Sequence, residues 1–418
     1  MHSHRALAPG SLGYTVLAGS LAAQAALAVD SLVPSLPSIV NELGMSPGSV
    51  QLTVAVFMGG FALGQIPWGW LSDWLGRRRV MLIGTGGFMT AGAMCALADS
   101  GGTLIAWRLV QGIFAAAGMA ATRAMLRDNF QGVGLARQTA AMTTVFFLSP
   151  ILAPQFGTLL LHFFGWRASF LVPGLIGLAS FLVVWRVLDE SHPPSRRRRT
   201  SFTDIGKALV AMLSHPLSSL CLGIQATMAI GLITWISSSP FILTQYFGVP
   251  LRYFGLIFAA SASVQLSGSL LCNQLLKIRG SHEVLALGAG SCLLGGGVLF
   301  GATVLTTGSL WWMMSGVWLF MLGFGLIVPA SGGMALHAFG AIGGLAAALV
   351  GTMQSLTGSL GSMASAALFD GTPRSLGIGI GVSAALATTV AGILSFRLSR
   401  HPELLDHVEE ISLPEDVA

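Results

Sequence analysis

Two charged residues lie where a chain this apolar can least accommodate them. Asp30 falls near the end of the first apolar run, and Arg108 falls about one turn into the fourth. A full charge inside hydrocarbon costs about 3 kcal/mol or more, so each one needs a partner or a task. Of the 16 acids, Asp30 is the one placed within an apolar run; the others fall in breaks, tails or boundaries. Both residues belong to the same half of the layer, so they could share one interior space and partly compensate each other. Burial favours the neutral carboxyl and a nearby guanidinium favours the carboxylate. A group balanced in this way can gain or lose a proton as its surroundings change. The alternative is that Asp30 sits at headgroup level and Arg108 snorkels outward.

Three further constellations accompany this pair. Gly69, Asp73, Gly76, Arg77 and Arg78 occupy the short break after the second run. The glycines permit a tight turn there, and Asp73 can cap a helix or hold a cation that is released in another state. In the fifth run, Pro150, Pro154 and Gly157 predict a kinked helix with a small-residue face. Gln24, Gln111, Gln155, Gln225, Gln265 and Gln354 lie inside runs, where amides bond from helix to helix. Gln24, Gln111 and Gln155, with Trp235, are candidates for the lining of a cavity. Trp235, Tyr246 and Phe254 suit an interfacial aromatic belt equally well.

These residues are positioned by a chain that cannot coat itself with water. Hydrophobic residues make up 53% of its 418 positions and charged residues 9%, and the mean hydropathy is +0.76. A soluble domain carries about 25% charged residues. The apolar runs are continuous rather than alternating, which selects helices over a membrane β-barrel. About twelve spans result: 12–33, 49–71, 80–98, 103–125, 139–164, 169–188, 217–242, 253–276, 284–305, 310–334, 344–369 and 376–396. The first is expected to be an uncleaved helix and not a signal peptide. The break between the sixth and seventh spans holds Pro193, Pro194 and Arg196 to Arg199, an interfacial linker by composition. It divides the chain into residues 1–188, a cytoplasmic linker at 189–216, residues 217–396 and a cytoplasmic tail at 397–418. With the N-terminus inside, 17 of the 21 Lys and Arg residues fall on the inner side, from Arg5 through Arg77, Arg78 and Arg79 to Arg400; three fall outside, and Arg108 lies within a span. This bias accounts for the net charge of +5 without a nucleic-acid partner. The glycine count of 54 suits closely packed membrane helices.

Several functions are disfavoured by the same reading. No G-x-x-x-x-G-K-[ST] loop offers a nucleotide site, and no Ser/His/Asp or His/Glu/His spacing suggests a hydrolase. Cys95, Cys221, Cys272 and Cys292 are scattered through apolar runs without the clustering that a metal or a disulfide framework needs. The expectation is a transporter with no catalytic residues, no metal and no cofactor.

The motifs together resemble the major facilitator superfamily, and within it the Bcr/CflA group of drug-resistance proton antiporters. Gly69, Asp73, Gly76, Arg77 and Arg78 match the superfamily's G-x-L-x-D-x-x-G-R-[RK] signature. Arg108, Gln111 and Gly112 match its fourth-helix R-x-x-Q-G, and Asp30, Pro34 and Pro37 match the group's D-x-x-x-P-x-x-P. Pro150, Ala153, Pro154 and Gly157 resemble the fifth-helix exporter motif, although the G-P pair of other branches is missing. Further matches lie at Arg123 to Asp128, Trp166 to Phe170 and Ser239 to Val249. The resemblance implies an all-α membrane protein of two six-helix halves around a central cavity. It implies a monomeric, multi-pass protein of the bacterial inner membrane with both termini cytoplasmic. Asp30 and Arg108 would carry proton coupling, and the loop signature would gate the inner face. The implied activity is exchange of inward protons for an outward small, mostly neutral or lipophilic drug, such as a phenicol or a bicyclomycin-like compound. Export of an endogenous metabolite or siderophore, or proton-coupled uptake, are the alternatives. Related drug exporters often carry a second acid in the first helix, where this chain reads Ala22, Ala23, Gln24.

Overall fold

The computed structural model describes residues 7–196, 202–305, 309–337, 339 and 343–400. Arg5, Arg197, Arg198, Arg199 and the tail beyond Arg400 lie outside the described residues. The chain divides into two compact units, residues 1–200 and 201–418. Among the described residues, ten helices are long and apolar enough to cross a membrane.

The first unit holds α1 (Leu12–Asp30), α2 (Leu36–Leu43), α3 (Pro47–Leu75), α4 (Arg77–Ala96), α5 (Gly101–Asn129), α6 (Gly132–Phe164) and α7 (Ala168–Val187). Serines start three of them: Ser11, Ser46 and Ser100 accept hydrogen bonds from the amides of Tyr14, Ser49 and Thr103, satisfying N–H groups that a helix start leaves unpaired. The first apolar run breaks earlier than its composition suggests. Pro34 has no N–H to offer the Asp30 carbonyl four residues back. The helix therefore stops at Asp30, and a 3-10 turn at Val33–Ser35 leads into α2. α4 is 20 residues long but opens on three arginines and contains several glycines, so it is less apolar than the ten.

Packing in this unit follows small residues. α3 lies so close to α5 that a Cβ at Gly60 would stand 2.3 Å from the Leu109 carbonyl oxygen, and one at Gly112 would stand 2.1 Å from that of Phe57. Trp68 Nε1 closes the same seam by donating to the Ile113 carbonyl at 2.7 Å. α1 packs on α6, and α4 on α7.

The second unit holds α8 (Phe202–Ser214), α9 (Pro216–Pro240), α10 (Leu251–Leu275), α11 (Ser281–Phe300), α12 (Leu310–His337), α13 (Gly343–Ala367) and α14 (Arg374–Arg400). Its pairings repeat those of the first unit in order: α10 with α12, α9 with α13, α11 with α14. Here too glycine faces backbone, with Gly325 of α12 against the Gln265 carbonyl of α10. The linker proposed at 189–216 includes a helix, because α8 buries Ala208 and Met212 on one face and packs on α9 and α13. α14 likewise continues to Arg400, so the tail proposed from residue 397 begins as helix. After Pro240 the backbone widens into a π-helical turn at Phe241–Tyr246.

Candidate functional site

Asp30 is the only fully buried acid among the described residues, with 4% of its surface exposed. Its last-residue position in α1 turns the carboxylate toward α6, where Ser149 Oγ donates to Oδ2 at 3.5 Å. Prolines and glycine shape that seam. Pro150 and Pro154 leave two carbonyls of α6 without a helical donor. Gly157 lies so close to α1 that a Cβ would stand 2.2 Å from the Ser31 carbonyl oxygen. The turn after Asp30 is fixed from the other side by α7. Ser31 Oγ donates to the Leu27 carbonyl at 2.6 Å and to that of Ser169 at 3.3 Å, and the Ser35 and Ser169 hydroxyls meet at 2.8 Å.

Arg108 is wholly buried. Nε donates to the Thr53 carbonyl at 3.1 Å, and Nη1 donates to the Ala28 carbonyl at 3.4 Å and to Gln111 Oε1 at 2.8 Å. The guanidinium carbon stands 4.2 Å from the centre of the Phe57 ring and 5.7 Å from that of Phe170. Nη2 has no hydrogen-bond partner. Among the described residues no carboxylate lies within 4 Å of Arg108, so it makes no direct ion pair with Asp30. The expected compensation between them has a different geometry. Arg108 grips α1 through the carbonyl of Ala28, two residues before Asp30, and solvates its charge with neutral oxygens and ring faces.

The loop signature is mostly helix. Gly69 and Asp73 lie in the last two turns of α3, and Gly76 alone, at φ 95°, turns the chain into α4. Gly69 has open space where a Cβ would project, so it serves no tight turn. Arg77 is the hub: Nη1 donates to Asp73 Oδ1 at 2.5 Å and to Ser72 Oγ at 3.1 Å, and Nε donates to Asp128 Oδ2 at 2.8 Å. Gly76 offers no side chain to cap α4. Glu190 supplies the cap from beyond α7, accepting from the amides of Arg77 at 2.8 Å and Arg78 at 3.3 Å. Ser191 Oγ donates to Asp128 at 3.2 Å, and His192 Nδ1 lies 3.9 Å from the same carboxylate. Burial, and then the Arg77 guanidinium, hold the His192 imidazole below its ordinary value.

The remaining candidates scatter. Gln111 is the ligand of Arg108 and lies within 4.0 Å of Cys95 Sγ. Gln24 is buried against Gly118 of α5, and both its amide atoms lack partners. Gln155 is half-buried and bonds its own helix at the Ile151 carbonyl, 3.0 Å away. Trp235 is buried in the second unit and stacks on Phe258 with ring centres 6.3 Å apart, as a core aromatic does. Gln225 and Gln354 bond each other between α9 and α13. Among the described residues no group of His, Cys, Asp or Glu could hold a metal ion.

Sequence reasoning missed Glu190 as the cap of α4 and Asp128 as the second acid on Arg77. The one signal for Glu190 was a pair of acids, Asp189 and Glu190, immediately after the sixth run. Nothing in the sequence pointed to Ser149 as the donor to Asp30.

The comparisons agree with this architecture. The Major Facilitator Superfamily profile matches residues 18–362. The MFS-type transporter YdgK of Bacillus subtilis is 29% identical over 84% of this chain and 87% of its own length. A bicyclomycin resistance protein homolog of Haemophilus influenzae is 29% identical over 79% and 83%. A chloramphenicol resistance protein of Pseudomonas aeruginosa is 29% identical over 81% and 80%. In fold the chain is similar to a solved D-xylose-proton symporter, with a TM-score of 0.69 at 14% identity, covering 96% of this chain and 100% of that one. With its helical pairings, its signature residues and a profile spanning most of its length, this multi-pass membrane protein belongs to the Major Facilitator Superfamily.

Proposed function

We propose that the chain is a proton-coupled exporter of small, mostly neutral or lipophilic drugs, seated in the bacterial inner membrane with both termini cytoplasmic. The observation that carries this reading is Asp30, the one buried acid among the described residues, set one hydroxyl away from the proline-containing α6 and two residues from the carbonyl that Arg108 holds. Relatives named for bicyclomycin and chloramphenicol resistance support a drug as the cargo. Among the described residues no second buried acid stands beside Gln24, which favours neutral compounds over cationic ones.

In this reading Asp30 takes a proton from the outer side and gives it up on the inner side. An inward proton releases about 2.3 kcal/mol per 100 mV of membrane potential. Protonation removes the charge that favours polar neighbours around Asp30, and cargo and proton then take turns at the α1–α6 seam. Arg108 sets how readily the proton leaves, and it ties α5 to α1 and α3 so that the change is felt across the unit. Arg77, held by Asp73 and Asp128, fastens the inner ends of α3, α4 and α5 in one state and loosens in another.

The direct test is proton release from purified protein in weakly buffered detergent on adding chloramphenicol. Wild type should release protons and Asp30→Asn should not. Release from both would remove Asp30 from the coupling. In proteoliposomes an imposed proton gradient should drive the drug against the proton flow. Movement with the protons would establish uptake instead.

A further inference from the structure

The corner where α8 meets α9 is a single residue. α8 ends at Ser214, α9 begins at Pro216, and His215 between them is extended, at φ −76° and ψ 119°. The proline imposes this, because the residue before it is steered out of the helical region. Pro216 itself suits the first position of a helix, where an N–H would have no partner. His215 thereby becomes the N-cap of α9. Its carbonyl accepts from the Ser219 amide at 2.9 Å, and its Nδ1 accepts from the Ser218 amide at 3.3 Å. An amide N–H only donates, so the Nδ1 facing it is bare and the ring proton sits on Nε2. The serine oxygens that cap α1, α3 and α5 accept at any pH. An imidazole nitrogen accepts only while it is unprotonated.

The same corner fastens α9 to α12. Ser218 Oγ donates to the Ala335 carbonyl of α12 at 3.1 Å and lies 3.2 Å from His215 Nδ1. The imidazole meets the buried ring of Phe339, just past the end of α12, edge to face with centres 5.9 Å apart. Burial alone holds the His215 imidazole below its ordinary value. Of the titratable groups on the elements packed against α9, Lys207 of α8 and Arg397 and Arg400 of α14 are exposed, and α13 carries none. Cys221, on the next turn of α9, is buried. The side chains of Asp204 of α8 and His337 of α12 lie outside the described residues. A proton on Nδ1 removes the acceptor and leaves the Ser218 amide unpaired. It also sets a positive charge at the positive end of the α9 dipole. The contribution of His215 is therefore present at neutral pH and lost as pH falls through its lowered value.

We propose that His215 is a pH-operated latch: with Nδ1 bare it caps α9 and holds the α8–α9 corner against α12, and on protonation it releases the first turn of α9 and slows transport. The effect on transport rests on the exporter reading above, whereas the latch itself does not. Two variants bracket its states. His215→Asn keeps an acceptor at every pH, and His215→Ala has none at any. The purified full-length proteins are followed by hydrogen–deuterium exchange of the Ser218 and Ser219 amides at pH 7.5 and 5.0, corrected for intrinsic exchange. Wild type should exchange as His215→Asn does at pH 7.5 and as His215→Ala does at pH 5.0, a change of about fivefold, the effect of one cap. His215→Asn should show no such change. In proteoliposomes with the same pH on both sides, chloramphenicol exchange should fall about fivefold more in wild type than in His215→Asn between those pH values. A wild type that tracks His215→Asn at both pH values, or a His215→Ala that exchanges at pH 7.5 as wild type does, would overturn the latch. Equal pH dependence of chloramphenicol exchange in wild type and His215→Asn would overturn its hold on transport. No chloramphenicol exchange by wild type at pH 7.5 would refute the drug reading, and the amide exchange would still decide the latch.

Discussion

Gly157→Ala isolates the seam between α1 and α6 without touching a charged or polar group. The added Cβ would stand 2.2 Å from the Ser31 carbonyl oxygen, with the Ser31 carbonyl carbon at 2.9 Å and Cα at 3.0 Å. All three atoms are backbone, so no side chain can swing aside. Real Cβ contacts essentially never fall below 3.0 Å, so the helices must part by at least 0.8 Å, the difference between 3.0 and 2.2 Å. Ser149 lies two turns back on the same face of α6, and its hydroxyl is already 3.5 Å from Asp30, at the outer limit of a hydrogen bond. A displacement of that size breaks the contact. Overpacking of this kind costs about 1–3 kcal/mol, which corresponds to a transport rate lower by about five- to 150-fold if the strain is felt in the coupling step. The assay is gradient-driven chloramphenicol transport in proteoliposomes, with melting temperature and elution profile checking the fold. Gly174→Ala is the control, because Gly174 lies in α7 with open space around it and the change there should stabilise the helix slightly. Native transport rates in Gly157→Ala would refute the close-contact reasoning and detach α6 from the proton site.

Further predictions concern the charged groups. Asp30→Asn should abolish gradient-driven transport while the protein still purifies folded from the membrane; retained transport would place coupling elsewhere. Arg108→Ala should also abolish coupling in reconstituted protein, whereas a lower yield with normal specific transport would mark a purely structural role. Glu190→Ala removes the cap of α4 and should cost about 1 kcal/mol, read as a melting temperature lower by about 2–4 °C. His192 makes stability depend on pH. Its folded-state value is lowered, so its contribution is complete above its ordinary value and is lost as pH falls through the folded one. Wild type should therefore lose more melting temperature between pH 7.5 and 5.5 than His192→Gln does.

Most of the fold was legible because burial in a membrane writes itself as continuous apolar runs, and the proline and arginine placements mark their ends. The site was legible where spacing is local. Arg108 and Gln111 sit three apart on one helix, a spacing that puts them on one face, although the sequence reading assigns Gln111 to a cavity lining and not to Arg108; the four-residue step from Asp73 to Arg77 likewise sets acid beside cation. Contacts made across the chain were not legible. Glu190 reaches α4 across 113 positions and Ser149 reaches Asp30 across 119, and nothing local announces either. Asp30 and Arg108 were assigned to one region on depth alone. Depth could not tell an ion pair from two charges separately solvated by carbonyls and hydroxyls. The helix break at Asp30 was implicit in Pro34, but the apolar pattern ran on past it and hid the boundary.

The backbone-to-backbone seam between α3 and α5 limits how this unit can move. With glycine carbonyl contacts and the Trp68 bond along it, sliding one of these helices past the other would drive heavy atoms together, so the two travel as a single beam. α1 is tied to that beam by Arg108 near one end and by Asn129 Nδ2, which donates to the Tyr14 hydroxyl at 2.9 Å, near the other, and to α6 by Ser149 and by Thr15, whose hydroxyl donates to Gln138 Oε1 at 3.1 Å. Of these four ties the 3.5 Å contact at Asp30 is the longest, so it is the first to give when α1 and α6 part.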